Sequence, residues 1–261
     1  MNLFTFAILS LLVFMTLLFG LALRVKDNSI VDVGYGLAFV LVGWSSYFYQ
    51  GNSHSRQLLL LALITIWGVR LAGHIFMRKQ GETGEDFRYR QWRKEWGKTF
   101  VWRSFLQIFM LQGAVVFMVS LPILLVTHQP GGDLGVFDLL GVSIWLIGFV
   151  FEALSDWQLL RFKRNPDNRG KLMQTGLWRT TRHPNYFGEA TLWWGIFLIA
   201  CSAPLGWLAV ISPLLINLLL LKVSGIPMLE AKYAGNPQFE SYKSQTNAFF
   251  PWFPKTDRRE I

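Results

Sequence analysis

Cysteine is nearly absent from this sequence. Cys201 stands alone in 261 residues, so no intrachain disulfide can form and a secreted, bridge-stapled scaffold is excluded. Charge is scarce too: Asp, Glu, Lys and Arg make up 16% of the chain, where a soluble domain carries about 25%. The soluble glycine-rich nucleotide fingerprint is missing, since Gly34-Tyr35-Gly36 sits in an apolar run and lacks its third glycine. There is no internal repeat, heptad seam or low-complexity tract. In their place the chain has 52% hydrophobic residues, 22 Phe and 12 Trp. That composition excludes disorder and exceeds what one globular core of this size can hide. The excess lies in long uncharged runs, which reads as an all-α, polytopic integral membrane protein with a formal net charge of +9.

A bilayer-crossing helix needs about 20 mainly apolar residues. Seven stretches are candidates: Leu3–Leu23, Ile30–Tyr49, Leu58–Met77, Phe105–Val126, Val136–Leu160, Tyr186–Ala203 and Leu205–Leu221. The last two are separated only by a short turn around Pro204. The first does not read as a signal peptide, because no basic residue precedes it and Arg24 and Lys26 follow it.

Basic residues orient these spans. Arg24 and Lys26, the segment 78–103, the segment 161–184 and the tail 222–261 carry 23 of the 25 Lys and Arg. Of the other two, Arg56 lies in an opposite loop and Arg70 within the third span. The expectation is a single membrane domain over 1–261, with the N-terminus outside and the tail cytoplasmic. The basic charge is then assigned to topology and to lipid phosphates, and no nucleic-acid partner is expected. Within the polar segments, Asn165–Gly170 reads as a turn, Leu229–Lys243 as a short interfacial helix, and Phe249–Pro254 as an aromatic anchor at headgroup level.

Ionisable groups inside spans are costly and tend to be functional. Asp32, Arg70, His74, Asp138, Glu152, Asp156 and Glu189 are the residues concerned. Asp138 reads as an interfacial cap and His74 as an interfacial contact. Arg70 serves either an ion pair with Asp32 or Glu152, or a substrate. Glu152 and Asp156 are four apart and share a helix face. Two such carboxylates repel unless a cation lies between them, but no His accompanies them at helical spacing, so no metal is expected. Pairing with Arg161, Arg164 or a ligand's hydroxyls is the better account.

The densest constellation is Arg179-Thr-Thr-Arg-His-Pro-Asn-Tyr-Phe-Gly-Glu189. Pro184 suits a helix start, where its missing N–H costs nothing. Asn185 and Glu189 then lie one turn apart on one face, and Gly188 permits a close approach. Arg179, Arg182 and His183 precede a helix N-terminus, a place that favours anions. A basic topological flank explains the arginines equally well, but not an Asn and a Glu inside the span.

Leu177-Trp178 followed by His183-Pro-Asn-Tyr-Phe-Gly-Glu189 resembles the C-terminal signature of the steroid 5-alpha-reductase superfamily, in particular its uncharacterised bacterial branch. Ser155-Asp156-Trp157, Arg161–Pro166 and Leu111-Gln112-Gly113 match further motifs, and the resemblance covers roughly residues 60–255. It implies a seven-helix reductase of the bacterial inner (cytoplasmic) membrane, binding NADPH at the cytoplasmic side. By position, Asn185 and Glu189 match residues that hold the nicotinamide end. Asp156, Arg164 and Lys171 match positions around the adenosine and phosphates, with Arg161 shifted by one residue. Gln112 matches a motif without an assigned role.

The substrate half departs from that family. Its Gln-Glu pair in the second span and Tyr in the third are replaced here by Asp32 with Tyr35 and by Trp67, although Arg70 matches an arginine three residues later. Trp cannot act as the tyrosine acid, because it is only an N–H donor. Tyr35, assisted by Asp32, is the candidate acid, and Arg70 supplies charge. The resulting expectation is reduction of a lipid-like enone or other polarised C=C. Membrane methyltransferases using S-adenosylmethionine share the pattern Arg182-His-Pro-Asn-Tyr-Phe-Gly188, but they carry an adjacent glutamate pair in the tail where Glu230 stands alone. A non-catalytic lipid-binding relative is the third reading.

Overall fold

The computed structural model describes residues 1–81, 84–129 and 131–254, and among these it contains helices and turns but no strand. In chain order the α-helices are α1 (Leu3–Val25), α2 (Ile30–Gln50), α3 (Ser55–Gln80), α4 (Phe87–Trp96), α5 (Phe100–Arg103), α6 (Leu111–Val119), α7 (Leu121–His128), α8 (Val136–Arg164), α9 (Pro184–Ala200), α10 (Ile211–Leu218), α11 (Ile226–Ala231) and α12 (Pro237–Gln245). Six segments among the described residues are long and apolar enough to cross a membrane: α1, α2, α3, the run Phe87–Val119, α8 and the run Gly206–Ala231. The remaining expected span corresponds to α9, which has only 17 residues. The expected span 105–126 is divided differently: the apolar run reaches back to Phe87 and stops at Val119. Pro122 at the start of α7 separates the rest, because it has no N–H to continue the ladder. The chain divides into two compact units, Met1–Asp138 with Ile199–Ser212, and Leu139–Leu198 with Pro213–Ile261.

In the first unit, α1 buries Leu3, Ala7, Leu11 and Met15, a stripe at four-residue spacing. Its other faces remain exposed, as at Val13 (60%) and Leu17 (69%). A helix apolar all round with one buried stripe is suited to lipid on its remaining sides. The hairpin of α2 and α3 crosses at Gly36 and Gly68: a Cβ on either would lie 2.5 Å from the carbonyl oxygen of the other. Only glycine allows the backbones so close. Between α5 and α6 the chain forms a π-helix, Ser104–Met110. Buried positions run Phe100, Ser104, Ile108 on entering it, and Phe109, Gly113, Val116 on leaving it, with Ser104, Ile108 and Phe109 inside the segment. The buried face therefore steps by one residue at this segment.

Arg56, which the sequence places in a sparsely charged loop, lies in the first turn of α3 and is 7% exposed, with Nε 2.8 Å and Nη2 3.0 Å from the two oxygens of Asp138. Asp138 also accepts from the Gly135 N–H at 2.8 Å, so it caps its helix as expected and neutralises Arg56 as well.

In the second unit, α8 and α9 pack through glycines spaced seven residues apart on each helix. A Cβ on Gly188 would lie 2.6 Å from Gly148 O, and one on Gly195 would lie 2.6 Å from Gly141 O. The loop before α9 is pinned to the end of α8, where Gln158 Oε1 accepts from Leu177 N (3.1 Å) and Ser155 O accepts from Trp178 Nε1 (3.1 Å). The tail then lies along this loop: Arg182 N donates to Asn247 O and Trp252 N to Thr180 O, both at 2.9 Å. Asn165 caps its own turn by accepting from Asp167 N at 3.0 Å, as its sequence predicts. The expected interfacial helix at 229–243 is two short helices, α11 and α12, interrupted near Gly235, whose φ of +78° ends a helix readily.

Candidate functional site

The sequence-predicted residues fall into two groups, one in each unit. Asp32, Tyr35 and Arg70 belong to the first unit, and all three are half-buried. Asp32 lies in the first turn of α2, where a carboxylate complements the helix dipole. Its oxygens are held by α4: Arg88 Nη2 is 2.8 Å from Oδ2, and the Tyr89 hydroxyl donates to Oδ1 at 2.7 Å. Tyr35, one turn on, packs edge-on against Phe39 with ring centroids 5.1 Å apart. Arg88, which the sequence does not offer as a partner, thus holds Asp32.

A polar network continues from Asp32 around the α1–α2 junction. Asn28, 1% exposed, donates its backbone N–H to Glu85 Oε1 (2.9 Å) and its amide to Ser104 Oγ (3.0 Å). Arg93 grips Glu85 through Nε at 3.0 Å and Nη2 at 2.8 Å. Lys79 pairs with Asp27 and donates to Ser29 Oγ at 2.8 Å. Burial works against the Asp27 charge, but Lys79 and the Ser29 hydrogen bonds outweigh it and hold the carboxyl below its usual range.

In the second unit, Glu152 and Asp156 are both buried, at 2% and 6% exposure. Gly188 lies against the Glu152 backbone, since a Cβ there would be 2.8 Å from Glu152 Cα. Gly188 thus makes the close approach that the sequence allows it, and Asn185 and Glu189 lie within one turn of this contact on α9. Asn185 Oδ1 is buried and has no hydrogen-bond partner among the described residues. Such an atom is an acceptor waiting for a donor.

Arg182 and His183 are turned inward onto one acid. Arg182 Nε and Nη2 are each 2.9 Å from Glu230 Oε1, and its Nη1 donates to the Thr246 carbonyl. His183 Nε2 donates to the same Oε1 at 3.0 Å, while its ring stacks on Tyr186 at 5.4 Å. Burial, reinforced by the neighbouring Arg182, holds the His183 pKa below its usual value despite Glu230, so the ring is neutral at pH 7. Tyr242, whose hydroxyl donates to the Trp178 carbonyl, is pushed up by burial.

The other cations of this stretch are differently placed. Arg161, Arg164, Arg169, Lys171 and Arg179 are exposed, and among the described residues none has a carboxylate partner. Arg161 rests its guanidinium over the Trp157 ring at 5.4 Å. Among the described residues no group of three or more His, Cys, Asp or Glu has the arrangement of a metal site.

Several residues of these networks are not singled out as site residues by their local sequence, Arg88, Tyr89 and Glu230 among them. Arg88 and Tyr89 lie in a segment that reads as a polar loop, and only the Arg-Tyr-Arg pattern at Arg88–Arg90 marks an aromatic among cations. Glu230 is legible as the lone acid in the tail from Lys222 to Lys232, without any local sign of its partners.

No solved structure matches this chain. An uncharacterised protein of Schizosaccharomyces pombe is 26% identical over 226 residues, which is 73% of this chain and 63% of that protein. The chain thus spans less than two thirds of the length of that relative. Residues 18–246 match the family described as "Protein of unknown function (DUF1295)", which lies in the steroid 5-alpha-reductase-like group, and the chain belongs to that family.

Proposed function

We propose that this protein is an integral-membrane, NADPH-dependent reductase of a lipid-like enone or polarised C=C substrate. One observation carries the reading. The last turn of α8 and the loop to α9 leave Arg161, Arg164, Arg169, Lys171 and Arg179 exposed and, among the described residues, without a carboxylate, while Arg182 closes on Glu230. Exposed arginines suit phosphate oxygens, which they grip in pairs. The residues present fit a nicotinamide dinucleotide: Arg161, Arg164 and Lys171 for its phosphates, and Asp156 with Glu189 for its hydroxyls and amide. The orphaned Asn185 Oδ1 would accept from the carboxamide. When bound, NADPH supplies a hydride.

The substrate half uses this chain's own acid and charge. Tyr35 hydrogen-bonds the oxyanion that develops on the substrate, and Arg70 stabilises its charge. Asp32, held between Arg88 and Tyr89, fixes that end of α2 rather than relaying a proton, and Tyr89 is a second hydroxyl beside it. The engagement of Glu230 by Arg182 and His183 supports the reductase over S-adenosylmethionine-dependent methyl transfer, because a lone, occupied glutamate is poorly placed to hold a methyl donor.

The test is purified protein in nanodiscs with stereospecifically deuterated NADPH and a native lipid extract, followed by mass spectrometry. A lipid product that gains deuterium, and loses it in Tyr35→Phe while NADPH still binds, is the expected result. Label transfer from methyl-labelled S-adenosylmethionine would establish the rival. Dinucleotide binding without any reduced lipid would identify a non-catalytic relative.

A further inference from the structure

At the α2–α3 turn of the first unit lies a polar cluster that the reading above does not use. Ser46, Gln57 and Thr127 are 0%, 1% and 1% exposed. The hydroxyls of Ser46 and Thr127 and both amide atoms of Gln57 lack a hydrogen-bond partner among the described residues. The three belong to α2, α3 and α7, and local contacts put them on one level. A Cβ on Gly43 would lie 2.9 Å from Leu61 Cδ2 and 3.9 Å from Ile123 Cγ2, so the three helices meet there. Ser46 is one turn beyond Gly43, Gln57 one turn before Leu61 and Thr127 one turn beyond Ile123. Because α2 and α3 are antiparallel, all three steps lead toward the turn that joins them.

His54 closes this level. Its Nδ1 accepts from Gln57 N at 3.3 Å, and its Nε2 donates at 3.3 Å to the carbonyl of Val126, the neighbour of Thr127. Gly131 packs on the His54 ring, and Arg56 donates to Asp133 O at 2.6 Å as well as pairing with Asp138. The cluster is therefore sealed on the turn side by an ion pair and a loop.

A hydroxyl or amide left unpaired in an apolar core is costly. One such group is an irregularity. Three on one level, uncharged and with balanced donors and acceptors, require a neutral hydrogen-bonding ligand rather than an ion. We propose that Ser46, Gln57 and Thr127 form an internal water-binding site under the His54–Arg56–Asp138 seal. A buried water takes about two to four polar partners, and this cluster supplies them.

Radiolytic hydroxyl-radical footprinting of the full chain in nanodiscs tests the proposal, because bound water yields radicals that oxidise the side chains beside it. Leu61 and Ile123, 2% and 1% exposed, should be oxidised faster than Leu192, which is 0% exposed in the other unit. Equal protection of all three would overturn the site. Gln57→Leu keeps the volume and removes the polar group. With water bound, it should abolish the oxidation of Leu61 and Ile123 and lower the melting temperature by about 3 °C, since the water and both hydroxyls lose their main partner. A dry cluster predicts the opposite sign, an unchanged or raised melting temperature. If Gln57→Leu does not fold, Ser46→Ala and Thr127→Val serve in its place: each should reduce the footprint, and full retention in both overturns the proposal.

Discussion

The first unit surrounds its half-buried acid with protein donors: Asp32 is held by Arg88 at 2.8 Å and Tyr89 at 2.7 Å. The second unit closes Arg182 and His183 on Glu230 and leaves the cations of 161–179 exposed. The two arrangements present different surfaces to a ligand. Around Asp32 the carboxylate is already compensated by protein donors. Along the stretch 161–179, Arg161, Arg164, Arg169, Lys171 and Arg179 have no carboxylate partner among the described residues, which suits an anionic group. Basic residues in one short stretch thus divide into those that hold the chain and those left for a partner, and burial separates them.

The largest effect that would sharpen this comparison is expected at Glu230. Replacing it with Ala strands Arg182, whose side chain is only 7% exposed. Removing one partner of a buried pair costs about 3–5 kcal/mol. Thermal melts in detergent should show a severe loss, and a shift of less than a degree would mean that the pair does not hold the loop. Asp32→Asn should cost less, about 1.5 kcal/mol, because a charged hydrogen-bond acceptor is lost where Arg88 remains 29% exposed to solvent. If Asp32→Asn proves the costlier of the two, the ranking by burial is wrong.

Smaller still for the fold, and decisive for the open cations, is Arg164→Ala. Melting should stay within about 0.5 kcal/mol of the parent, as for most exposed positions. NADPH affinity should fall about tenfold, the size of one charge-assisted contact, as read by calorimetry. Unchanged affinity would return Arg164 to a purely topological role, and an equal loss for NADH would move it from the ribose phosphate to the pyrophosphate.

The membrane class and most span positions were legible because lipid imposes a long uncharged run that no polar context can imitate. Pro184 opening α9, Gly188 meeting α8 and Asp138 as a cap were legible for a similar reason, since each follows from local stereochemistry. Glu230 with Arg182 was not, because 48 residues separate them and only the folded tail brings them together. Arg88 and Tyr89 were obscured by composition: a segment rich in both signs of charge reads as solvated loop, yet Tyr89 is 2% exposed.

The least of the expected effects is on pH. The folded-state pKa of His183 lies below its ordinary 6.5, so the unfolded chain binds more protons once the pH falls below that value. Stability from this group is present above about pH 6.5 and declines on acidification. Asp27 has a folded-state pKa below its ordinary 3.8, so its stabilisation persists through mild acid and is lost only as the pH falls through that lower value. Melts at pH 7.5 and 5.5 should therefore differ in the parent and differ less in His183→Asn. Lys79→Met should lower the melting temperature equally at both of these pH values and flatten the pH response only in the strongly acidic limb. A His183→Asn variant with the parent's full pH response would break the assignment.

The one-residue step of the buried face at Ser104–Met110 bears on which sequence lengths this fold tolerates. A π-helix bonds i to i+5 and so accommodates one residue more than an α-helix over the same rise. Deleting a single residue inside it would let the segment revert to regular α-geometry. Everything on one side would then rotate by about a hundred degrees, carrying Ser104 away from Asn28 or Gly113 away from the core. Elsewhere in a span a missing residue scrambles one face. Here it would merge two reading frames of burial into one, so related chains should differ in length at their loops and keep this segment's count.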